Sequence, residues 1–153
     1  MRRFLVALLL LGLLSATFAS DAVSGRVVKV LPLLLDLKGR DAVSPSLYDR
    51  DAYQVHLRQH TNEISAIRFA VQWKTVKNPA EKTALRIELR GIGEHGMPQV
   101  KTMETEVTPG TFSQWTNFML GGDDYKKFGV VVAWRVTLWR GGVQLGEQKS
   151  FLW

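Results

Sequence analysis

The sequence predicts a mainly β protein, a single sandwich of about seven strands with one short helix near residues 46–60. Three observations carry this. Segments with an apolar residue at every second position follow one another through most of the chain. Clusters of Gly, Pro, Asn and Asp interrupt them every ten residues or so, which is the turn spacing of a sandwich. No repeat or low-complexity linker divides the chain, so the length beyond its first residues makes one domain.

Taken in order, the chain opens on a tripartite export signal. Met1-Arg2-Arg3 is a positive start, Phe4 to Leu14 is apolar, and Ser15 to Ser20 is small and polar. Cleavage after Ala19, with Thr17 three positions from the cut, fits best; cleavage after Ala22 is second. Residues 1–19 are therefore read as a secretory signal and 20–153 as the β-sandwich domain. The apolar run falls short of the roughly 20 residues that a membrane-spanning helix needs. The mature chain is expected to be soluble, with no stable membrane insertion, in the periplasm or outside the cell.

Arg26 to Leu31 reads as the opening strand, and Pro32 marks it as a sheet edge. Residues 46–60 can alternate as a strand through Tyr53, Val55 and Leu57. A short helix is preferred, because the run is poor in β-branched residues and Ser44-Pro45-Ser46 supplies a start. Its inner face would be Ala52, Tyr53, His56, Leu57 and His60, leaving Gln54 outside. Ile67, Phe69, Val71 and Trp73 alternate with polar residues, as do Leu85, Ile87 and Leu89. Val100 to Val107 is polar enough for an edge, and Trp115 to Leu120 is a short strand. Asp123 to Phe128 suggests one helical turn. Val130 to Trp139 is the densest strand, with Val130, Val132, Trp134, Val136 and Leu138 on one face. Arg140-Gly141-Gly142 then predicts a tight hairpin into Val143 to Phe151.

Composition excludes several functions. The chain has no cysteine, so disulfides, thiolate metal sites and a cysteine nucleophile are out. Its net charge of +6 falls to +4 once Arg2 and Arg3 leave with the signal, which is no nucleic-acid footprint. Gly91-Ile92-Gly93-Glu94-His95-Gly96 matches a dinucleotide fingerprint, but a strand follows where a phosphate-holding helix is required. No cofactor is expected.

Two constellations remain. His56 and His60, four apart on a helix, could share a metal with Asp49, Asp51 or Glu63, which would support a metal-dependent or hydrolytic enzyme. The alternative is two rings packed beside Tyr53 and Leu57 with their nitrogens hydrogen-bonded. The second constellation is a face. If 85–90 and 130–139 share a sheet, Arg86, Arg90, Arg135, Thr137 and Trp139 stand together with Glu88, and arginine stacked on tryptophan makes a cation–π ladder. As a recognition face it suits an envelope protein, an acidic peptide or a glycan; the preferred reading is a solvated face whose arginines cover Trp139. A carbohydrate-binding module would use Trp139 or Trp115. Lys149 and Glu147 break the pattern of a lipid-facing last strand, so the tail before Trp153 is expected to pack against the core.

The runs Ser44 to Gln54, Ile67 to Lys74, Ala133 to Trp139 and Glu147 to Trp153 resemble a group of small signal-bearing bacterial proteins of unknown function. The strand arithmetic is similar to that of an immunoglobulin-like or fibronectin type III-like sandwich without the cysteine pair. The likeness implies an architecture and no single activity, and it supplies no catalytic residues; the chain is read as a non-catalytic binding or structural module.

Overall fold

The computed structural model describes residues 24–76, 78 and 80–153; the signal segment and both cleavage positions lie outside them. Alternation does become strand. The elements are β1 (Gly25–Asp36), α1 (Leu47–Gln59), β2 (Ile64–Thr75), β3 (Thr83–Ile92), β4 (Pro98–Val107), β5 (Gln114–Gly121), α2 (Gly122–Phe128), β6 (Val130–Arg140) and β7 (Val143–Lys149). They form two antiparallel sheets, ordered β1-β2-β5 and β4-β3-β6-β7. β1, β5, β4 and β7 are the edges, which agrees with Pro32 on β1 and with the polar 100–107 run on β4. The β6–β7 turn places Gly141 and Gly142 at φ 51° and 83°, a conformation that favours glycine.

The inward faces meet in one apolar cluster built on Phe69, Val71, Trp73, Leu85, Ile87, Leu89, Val136 and Leu138. Trp73 is 1% exposed, and its indole Nε1 donates to Thr116 Oγ1 at 2.9 Å, so burying the ring leaves no polar atom stranded. Trp134 is partly buried against the same cluster. The expected inner face of β6 fails at its start: Val130 and Val132 are exposed, while Val131 packs on the core and Ala133 is buried. A bulge explains this. Arg90 pairs with Ala133 but Gly91 with Val131, so Val132 is an extra residue that flips the alternation.

Helix α1 is present, but its inner face differs from the expectation. Ala52 and His60 are exposed, and Gln54 is buried with Leu57. Gln54 is held by the free edge of β1, where it acts as a surrogate strand. Its Oε1 accepts from the Leu34 N–H at 2.8 Å, and its Nε2 donates to the Leu34 and Asp41 carbonyls at 2.9 Å. Edge groups left without a partner would be costly under a helix, so a side-chain amide serves better here than an apolar residue. Register also puts Leu33 opposite Arg68 and Leu35 opposite Ala66, on the face away from the core, where α1 covers them.

A carboxylate anchors the same corner. Asp36 is buried and accepts from the Lys38 and Arg40 backbone N–H groups, from Arg40 Nε and from the Tyr53 hydroxyl, all at 2.8 Å. Burial alone would push its carboxyl up. The donors outweigh burial and hold it well below the ordinary carboxylate range. At the other end of this loop Ser46 caps α1, accepting from the Asp49 N–H, and Ser44 Oγ donates to Asp49 Oδ2 at 2.5 Å. Asp49 thus sits in the first turn of α1, its carboxylate tied to Ser44.

Candidate functional site

The outer face of the four-stranded sheet is where sequence and structure converge. Antiparallel register aligns Glu104, Arg86, Thr137 and Glu147 in one row and Thr102, Glu88, Arg135 and Lys149 in the next. Side chains two apart on a strand share a face, so Arg90 and Trp139 lie beyond these rows at either end. The Arg86 guanidinium sits 5.2 Å from the Trp139 ring centre. Arg90 and Arg135 sit 4.0 and 4.8 Å from the ring of Trp153. The ladder is therefore capped by a tryptophan at each end.

The tail reaches this position through Ser150. Its backbone N–H donates to the Trp134 carbonyl at 2.9 Å, its Oγ accepts from the Trp134 N–H at 3.0 Å, and its carbonyl receives the Trp153 N–H at 3.2 Å. This turn lays the Trp153 indole over the arginines. The expectation that the tail packs on the core is thereby corrected: Phe151 and Leu152 are exposed and Trp153 rests on the outer face.

The face mixes charges, with Arg86, Arg90, Arg135 and Lys149 against Glu88, Glu104 and Glu147. Arg86 Nε meets Glu104 Oε2 at 2.8 Å, and Arg135 meets Glu88 at 2.6 Å and Glu147 at 3.9 Å. Arg90 is exposed, lies over Trp153, and has no carboxylate partner among the described residues. Thr137, expected on the face, is 2% exposed, and its Oγ1 accepts from Trp139 Nε1 at 2.7 Å; it orients the indole and is out of a partner's reach. The structure places Arg86, Arg90, Arg135 and Trp139 on one face and adds Trp153, Glu104 and Glu147, which the sequence reading did not include. The two glutamates alternate with inward residues on β4 and β7 and were readable once those strands were paired.

The other candidates are occupied differently. His56 Nε2 bonds Glu63 Oε2 at 2.9 Å, and His60 Nδ1 bonds the His56 carbonyl at 2.9 Å. The two rings stack at 4.1 Å, with Tyr53 on the far side of His56. Among the described residues no three His, Asp or Glu side chains gather to hold a metal. Gly91 to Gly96 ends in a 3-10 turn and then β4, so it is a hairpin loop. Of the tryptophans offered to a sugar, Trp139 is covered by Arg86 and Trp115 stands 51% exposed on β5.

No protein-family model matches the chain, and no curated protein matches it. Among solved structures, the Pseudomonas fluorescens alkylpurine DNA glycosylase AlkC, bound to DNA containing an abasic site analog, is similar over 55% of this chain and 24% of its own. The identity is 13% and the TM-score 0.31. A β-glucosidase from Kluyveromyces marxianus is similar over 83% of this chain and 14% of its own, at 8% identity and a TM-score of 0.31. The chain thus spans a quarter or less of either protein, and neither likeness carries an argument about its activity. Among the described residues no helix is long and apolar enough to cross a membrane.

Proposed function

We propose that the protein is an exported, non-catalytic binding or structural module of the fibronectin type III kind. It acts in the periplasm or at the cell exterior and engages an envelope protein through the outer face of its four-stranded sheet. The strand order supports the type: β4 pairs with β3, whereas a constant-type immunoglobulin domain pairs its fourth strand with its fifth. The observation that carries the binding reading is the ladder itself. Three arginines are held over two tryptophans before any partner arrives. Arginine and tryptophan are the residues that most often dominate interface energetics, and fixing them in advance removes ordering entropy from binding. The pairing of Arg86, Arg135 and Lys149 with Glu88, Glu104 and Glu147 favours a protein surface of mixed charge over an acidic peptide.

Export has its own test. Intact mass of the chain recovered from an envelope fraction of the source cell is expected to correspond to residues 20–153. Recovery of the full 153-residue chain from the cytosol alone would overturn the export reading.

A further inference from the structure

We infer a second binding site, for a phosphate group, at the end of the sandwich where β1 begins and β2 ends. A cleft of about 600 Å³ opens there between Ser24 to Arg26, Lys74 to Val76 and the Pro109-Gly110-Thr111 loop. Arg26 and Lys74 are direct partners across the β1–β2 ladder, so two like charges share one face at close range. Opposed like charges destabilise a strand pair, and among the described residues neither has a carboxylate within ion-pair distance.

A third cation stands behind the wall of the cleft. Arg140 is 4% exposed, and its Nη2 donates only to neutral acceptors, Thr75 Oγ1 at 2.8 Å and the Val76 carbonyl. Its Nε is buried with no partner among the described residues. Both acceptors belong to residues that line the cleft, and Thr75 Oγ1 donates onward to the Ser24 carbonyl at 2.9 Å. A buried guanidinium without a counter-charge is costly, and a charged oxyanion seated between Arg26 and Lys74 would supply that charge through the Thr75 wall. Arg26 and Lys74, with the charge of Arg140 behind them, the Thr111 hydroxyl and the Gly110 backbone suit a compact, multiply charged acceptor, which is the chemistry of phosphate. The phosphate is either free in solution, as inorganic phosphate or a soluble ester, or part of a lipid headgroup.

The test melts the purified protein in about 10 mM inorganic phosphate and in chloride of equal ionic strength. It is paired with co-sedimentation on phosphatidylglycerol and on phosphatidylcholine vesicles. An Arg26→Gln, Lys74→Gln double variant runs in parallel; both residues are exposed, and removing like charges leaves the variant folded and at least as stable in chloride. For a millimolar site, phosphate is expected to raise the wild-type Tm by roughly 5 °C and to leave the variant unmoved. Selective sedimentation with phosphatidylglycerol, lost in the variant, without a shift in free phosphate, assigns the group to a lipid and also supports the site. No response to either probe, or an equal response in the variant, overturns it.

Discussion

Trp73→Ala is expected to remove about 4 kcal/mol of folding stability, the largest loss of any single truncation in this chain. Trp73 is the largest of the fully buried side chains and lies among Val27, Leu138 and their neighbours in the cluster between the sheets. Truncation opens a cavity that strands paired on both sides cannot collapse into, and it leaves the Thr116 hydroxyl without its indole donor. With no cysteine anywhere in the chain, no covalent link limits the damage. Urea unfolding followed by far-ultraviolet circular dichroism measures the loss; a change below about 1 kcal/mol would mean that this residue is not central to the packing.

Asp36→Ala comes next, at about 3 kcal/mol near neutral pH. Four donors converge on this buried carboxylate, and removing it strands the Tyr53 hydroxyl and two backbone N–H groups, while the exposed Arg40 turns to water. The Asp36 carboxylate in turn pushes the Tyr53 hydroxyl and the Arg40 guanidinium up. Because the folded-state pKa of Asp36 lies below its unfolded value of 3.8, its stabilisation is fully present above that pH and is lost as the pH falls through the acid range toward the depressed folded value. Wild-type stability is therefore expected to fall steeply with acid below about pH 4, and Asp36→Asn to flatten that limb. Melting temperatures of both proteins between pH 2 and pH 7 decide this. Parallel acid limbs would show that another carboxylate governs the loss.

The parts of the fold written in period two were legible. Ile67 to Trp73 and Leu85 to Leu89 each bury one face along their length, so side-chain chemistry alone marks them, and paired glycines mark the last turn. What escaped depends on pairing. Gln54 looked like a surface residue because only the free edge of β1 at Leu34 and the Asp41 carbonyl of the following loop give its amide three bonds to make. Val130 and Val132 were misassigned because a bulge is a property of two strands and has no signature in one. The ladder was half legible: alternation put Arg86, Arg135 and Trp139 on one side, while Trp153 joins them through a tail that folds back by way of Ser150. Thr137 alternates with the exposed residues of β6, yet the indole that bonds to it takes away its surface.

This ladder is where folding and recognition meet. Cation–π contacts at partly exposed sites are worth about 0.5–1 kcal/mol each, so the face adds modestly to stability while keeping its aromatic and cationic groups in fixed positions. Arg90 is the member with the fewest internal obligations, and Trp153 is the ring it covers. Replacing both separates the two roles, because Phe69, Trp73 and Leu138 in the core remain untouched.

The most direct measurement is capture from an envelope extract by immobilised wild type and by an Arg90→Glu, Trp153→Ala variant whose circular dichroism matches it. The wild type is expected to retain a stoichiometric protein partner that the folded variant loses. A folded variant that keeps every partner of the wild type would contradict the assignment of recognition to this face.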